Sequence, residues 1–125
     1  MSDSNKNLCT GAPTLIFACS GAADVGGLSD QAARKLTSEG AGKMYCLAGI
    51  GGRVSGILKT TQEAENILAI DGCPLDCVKL SLELAGFAEF DHTRVTDMGF
   101  EKGKSPVTEE NIAAVVQSAR AVVGS

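Results

Sequence analysis

Apolar positions along the chain fall into short runs separated by longer stretches of helical period. Thr14-Leu-Ile-Phe-Ala-Cys19 is a run of strand type, ended by Ser20-Gly21. Over 24–38, Leu28, Ala32 and Leu36 recur every four positions with Ala33 beside them, and Arg34, Lys35 and Glu39 lie elsewhere on the wheel. This spacing predicts an amphipathic helix closed by Gly40. A second strand is expected over 43–48. It leads into Gly49-Ile-Gly-Gly-Arg53 and a short helix that Ser55 would cap, running to Glu65 on Ile57, Leu58, Thr61 and Ala64. Ile67-Leu-Ala-Ile70 reads as a third strand. Pro74 suits the first position of a helix that reaches Leu84 or Ala85 and ends at Gly86.

Toward the C-terminus, His92-Thr-Arg-Val-Thr96 supplies a β-branched fourth strand and 99–106 a loop. Thr108 followed by Glu109 and Glu110 starts a last helix, with Ile112, Val115, Val116, Ala119, Val122 and Val123 as its buried stripe. Strands alternating with helices imply an α/β fold. The expectation is one three-layer α/β/α domain with a mostly parallel sheet of about four strands, of the Rossmann-like or flavodoxin-like type.

Composition narrows the function. A chain of 125 residues, 44% hydrophobic and 21% charged, is long enough for one core without a disulfide staple. The net charge of −4, the lack of a basic run and the absence of tryptophan leave little to neutralise phosphates or stack on bases. Neither nucleic acid nor an anionic membrane is an expected partner. Residues 1–12 have the composition of a polar tail, which puts the domain at 13–125. The longest apolar run, Leu15 to Cys19, is far too short to span a bilayer, so a soluble, cytoplasmic protein is expected. In that reducing setting five cysteines point to metal ligands or reactive thiols.

Cys19, Cys46 and Cys73 are spaced 27 positions apart (46 − 19 and 73 − 46). A strand, a helix and the return loop take about that length, so successive parallel strands would bring the three thiols to one edge. Because Cys19 and Cys73 follow their strands, the edge is the carboxyl one, where open α/β sheets bind ligands. With Pro74 at the first helical position, Cys73 would cap the helix and lie near free N–H groups that stabilise a thiolate. Cys77 follows one turn on, and Leu80 and Leu84 continue the same face, which is expected to point inward. Four thiolates select zinc or an iron–sulfur centre over harder cations. Taken alone, Cys46 reads better as a small buried strand residue, and Cys9 as a stray thiol in the tail or an extra ligand.

These residues carry a resemblance. Cys19-Ser-Gly-Ala-Ala-Asp-Val-Gly26, Lys43-Met-Tyr-Cys-Leu-Ala-Gly-Ile-Gly-Gly52, Ile70-Asp-Gly-Cys-Pro-Leu-Asp-Cys77 and Val95-Thr-Asp-Met-Gly99 are similar to the DGC-type domains, small prokaryotic proteins described as zinc-binding and without an established activity. The resemblance covers most of 14–122. It implies zinc held by Cys19, Cys46, Cys73 and Cys77.

Other features are weaker. Gly49-Ile-Gly-Gly-Arg53 follows a strand as a phosphate loop would, but Val54 stands where the dinucleotide fingerprint needs glycine, and no Walker lysine–serine pair exists. Gly51 and Gly52 would let the backbone pass the thiols, with Arg53 as an anion contact. His92 is expected at the end of the sheet opposite the cysteines. Asp76 suits the helix dipole, and its charge opposes a free thiolate unless a metal is bound. No Ser/His/Asp set and no paired carboxylates suggest an enzyme. A zinc-thiolate protein is therefore the leading expectation. The alternatives are a thiol redox or metal-detoxification protein reacting through Cys73 and Cys77, and an iron–sulfur carrier.

Overall fold

The computed structural model describes residues 14–123. The tail expected over 1–12, with Cys9, lies outside them. Four strands, β1 (Thr14–Ala18), β2 (Lys43–Met44), β3 (Asn66–Asp71) and β4 (Asp91–Arg94), form one sheet in the order β2-β1-β3-β4, and every pairing is parallel. The helices are α1 (Asp24–Ser38), α2 (Leu47–Gly51), α3 (Ser55–Gln62), α4 (Cys77–Leu84) and α5 (Glu109–Val122), with a 3-10 turn at Val95–Met98.

The apolar run of each central strand feeds two cores. Successive side chains of a strand point to opposite faces of a sheet. Ile16, Ala18, Leu68 and Ile70 therefore pack with Leu28, Ala32 and Leu36 of α1 and Val115, Val116 and Ala119 of α5. Leu15, Phe17, Ile67 and Ala69 pack on the other side with Ile50 of α2 and Val78 and Leu82 of α4. The three-layer α/β domain follows directly from this alternation. Thr108 caps α5 by accepting from the Asn111 amide at 3.1 Å.

Four local expectations change, the first being that the fourth strand ends at Arg94 because Val95 and Thr96 enter the 3-10 turn. Strand β2 ends at Met44, not at 48. Tyr45 still donates its amide to Ile16 O at 2.9 Å, but its ring packs edge-on against Phe17, and Cys46 becomes the N-cap of the short helix α2. Ser55 is the first residue of α3, whose N-cap is Val54 and which ends at Gln62, short of Glu65. Helix α4 starts at Cys77 and not at Pro74; the intervening residues form a turn closed by the Asp76 amide on Cys73 O at 3.1 Å.

Among the described residues, no helix is long and apolar enough to cross a membrane.

Candidate functional site at the carboxyl edge

The strand order sets the site. Strands β2, β1 and β3 are neighbours and run the same way, so the residues that follow them emerge at one edge. Cys46 follows β2 after one residue, Cys19 follows β1 directly and Cys73 follows β3 after Gly72. The order reverses between β1 and β3, which is the position where open α/β sheets form their ligand crevice. All four thiols are free; Cys19 and Cys73 are half-buried, and Cys46 and Cys77 are exposed.

Backbone packing holds this edge together. The Cys19 amide donates to Ile70 O at 3.0 Å, which extends the β1–β3 ladder by one residue, and the buried Ser29 hydroxyl donates to Cys19 O. A Cβ at Gly26 would sit 2.7 Å from Gly21 O, and one at Gly72 would sit 3.0 Å from Val25 O. Only glycine lets the end of β3, the start of α1 and the turn after Cys19 approach so closely.

The loop over 99–106 closes over Cys73. Asp24, in the first turn of α1, accepts from the amides of Gly103 and Ser105 at 2.9 Å each and from Val25 at 2.8 Å. Those backbone donors, Gly103 and Ser105 first, hold its carboxyl below the usual 3.8. Lys102, carried on the same loop, places its Nζ 3.8 Å from Cys73 Sγ. Thus a lysine ammonium, and not a helix N-terminus, is the cationic neighbour of Cys73.

Cys77 opens α4, beside the negative groups of the edge. Desolvation, then charge at Cys19, Asp71 and Cys73, pushes its thiol above the ordinary 9.0, against the pull of Lys102. That shift opposes a free thiolate at Cys77. A hollow of about 770 Å³ lies along the same edge, lined by Ala18, Ser20, Cys46 and, from α4, Ser81, one turn beyond Cys77.

The acidic residues around the Cys73–Cys77 turn have roles that the sequence reading missed. Asp71, 1% exposed, accepts the Val78 amide at 2.7 Å and the Lys79 amide at 3.1 Å, and so caps α4 from the end of β3. Asp76 is the positional N-cap but adopts the left-handed conformation (φ 55°) and makes no cap bond of its own. Strand β4 holds both carboxylates: His92 Nε2 lies 2.8 Å from Asp71 Oδ2, and Arg94 grips Asp76. His92 is thus at the carboxyl edge and not at the opposite end, because β4 is short and starts opposite Leu68, midway along β3. The detectable signal was the spacing His92-x-Arg94, which puts two side chains on one face of a strand.

Asp71, Asp76 and His92 are also the set of three whose ligand atoms fall within 4.8 Å of one another; among the described residues no three cysteine sulfurs do. Arg94 already supplies a cation to both oxygens of Asp76, so the set is satisfied as an ion-pair network. Three free thiols that follow adjacent strands and a fourth at the start of α4 are soft donors of the kind a thiolate metal selects, and a metal would have to draw their sulfurs together.

Arg53, expected as an anion contact, turns its guanidinium to backbone carbonyls. In left-handed conformation (φ 59°), it donates to Ile50 O at 2.8 Å and to Leu84 O at 3.1 Å, which ties α2 to the C-terminal end of α4. Gly51 has open space around it. The glycine that packing demands in this loop is Gly49, where a Cβ would lie 2.1 Å from Ile57 Cδ1.

The family model for the DGC domain matches residues 15–119. The chain is 35% identical over 88 residues to the "Anaerobic and virulence modulator AnvM" of Pseudomonas aeruginosa, a stretch covering 70% of this chain and 67% of that protein. No solved structure matches the chain.

Proposed function

The chain belongs to the DGC domain family, and from that premise we propose that it binds zinc through the thiolates of Cys19, Cys46, Cys73 and Cys77. The observation that carries this reading is the delivery of a free cysteine by each of three adjacent parallel strands to one sheet edge, with a fourth at the start of α4. The raised Cys77 thiol is in keeping with a metal ligand, while the redox alternative rests on Cys73, which has Lys102 Nζ at 3.8 Å. When bound, zinc would neutralise the negative charge that otherwise accumulates among the four sulfurs. A site with four protein ligands leaves no position for water, so its role is structural or regulatory and not hydrolytic. A relative named as a modulator is in keeping with that division.

Elemental analysis of protein purified anaerobically without added metal tests the reading. The expected result is close to one zinc per chain, with the thiols protected from a disulfide reagent until a chelator is added. Less than about half an equivalent of metal, with all five thiols of the chain titrating freely, overturns it.

A further inference from the structure

Asp71 is a buried carboxylate whose two oxygens are engaged by groups of the first turn of α4 and of β4. Oδ1 accepts from Val78 N, the residue after Cys77, while Oδ2 accepts from Lys79 N and lies against His92 Nε2. Asp71 itself precedes Cys73 by two residues at the end of β3. One side chain therefore bridges the strand end that presents Cys73 and the helix end that presents Cys77. The residue at the N-cap of α4, Asp76, makes no side-chain cap bond, and among the described residues Asp71 supplies the cap. Free amide donors at a helix start are stabilised by an acceptor, and here a full negative charge also meets the positive end of the helix dipole. His92, from the edge strand, fixes the carboxylate from the other side. The hydrogen bond is short enough, at 2.8 Å, to set its rotamer.

We propose that Asp71, held by His92, is the positioning residue of the thiol site: it fixes the turn between Cys73 and Cys77 and so presents the two sulfurs at a set separation to a metal. The inference rests on the zinc reading above. Groups that orient metal ligands from outside the coordination shell are worth about a 10–100-fold change in affinity when altered.

The test is a cobalt(II) titration of the full reduced chain, read by the thiolate-to-cobalt absorption band and followed by displacement with zinc, on Asp71→Asn, His92→Ala and His92→Gln. Asparagine keeps the shape but cannot accept from both amides and from His92 at once; glutamine restores an N–H donor. At a temperature where circular dichroism shows all variants folded, Asp71→Asn and His92→Ala are expected to weaken zinc affinity about 10–100-fold and to alter the cobalt band, with His92→Gln closer to the parent. Parent-like affinity and an unchanged band in folded Asp71→Asn overturn the proposal. Should Asp71→Asn not fold, His92→Ala decides in the same terms, because it leaves both amide bonds to Asp71 in place. Failure of the parent chain itself to take up cobalt or zinc overturns the zinc reading, and this one with it.

Discussion

Arg94 holds Asp76 with both arms of its guanidinium, Nε on Oδ1 and Nη2 on Oδ2, each at 2.8 Å. The fork keeps a residue with φ of 55° in place at the start of α4 and draws its carboxyl below the usual range. Two effects at Asp76 can be separated by substitution. Asp76→Ala and Asp76→Gly both lose the ion pair, but only alanine retains the steric penalty of the left-handed conformation. Glycine is expected to be the less destabilising of the two by about 1 kcal/mol, despite its freer unfolded chain. Urea unfolding of the pair checks this; equal midpoints contradict the strain.

Acid should act through Asp24. Its folded pKa is depressed by the Gly103 and Ser105 amides, so its contribution to stability is present above the unfolded value of 3.8 and disappears as pH falls through the lower folded value. Asp76 is shifted in the same direction, chiefly by Arg94. Asp24→Asn is therefore expected to lower stability at neutral pH and to flatten, without abolishing, the loss of stability below that value. Denaturation midpoints measured from pH 7 to pH 3 read both effects. A variant whose acid limb parallels the parent's would show that the carboxylate does not pin the 99–106 loop.

Gly49 reports on α2, the helix not expected from the sequence. Its added Cβ would meet Ile57 Cδ1 at 2.1 Å and Cγ2 at 3.1 Å. Gly49→Ala is expected to cost about 1–3 kcal/mol by overpacking. Ile57→Val removes the closest atom, so the double variant should be more stable than the sum of the single changes allows. Strict additivity in thermal unfolding would mean that the two residues are not in contact.

The fold was largely legible because periodicity survives folding wherever burial is two-sided. Leu15 to Ala18 and Ile67 to Ile70 are continuous apolar runs because both faces of their strands meet helices. The four-residue spacing of Leu28, Ala32 and Leu36 likewise identified the buried face of α1. The end of β2 was not legible. Tyr45, Cys46 and Leu47 continue a strand pattern, and the turn is set by tertiary contacts, the Phe17–Tyr45 ring packing and the Gly49–Ile57 approach. At the site, the 27-residue spacing placed three cysteines on one sheet edge because it reflects chain length per βα unit. The start of α4 escaped because Pro74 is an equally good turn residue, and the group that decides, Asp71, acts from the preceding strand.

Helix α4 separates the two readings most sharply. Starting the helix at Pro74 and following Cys77, Leu80 and Leu84 puts those leucines in the core. Starting it at Cys77 puts Val78 and Leu82 there, both fully buried, and leaves Leu84 76% exposed and Leu80 49% exposed. Leu82 packs with Phe17 and Ile50 in the core on that side of the sheet. Leu82→Ala is therefore expected to cost about 2–5 kcal/mol, the usual range for a cavity in a close-packed interior. Leu84→Ala, on the open face, should stay within about 0.5 kcal/mol of the parent. The reverse ranking in chemical denaturation would rotate α4 by most of a half turn. It would also turn Cys77, which shares the exposed face with Leu80 and Leu84, inward toward the sheet.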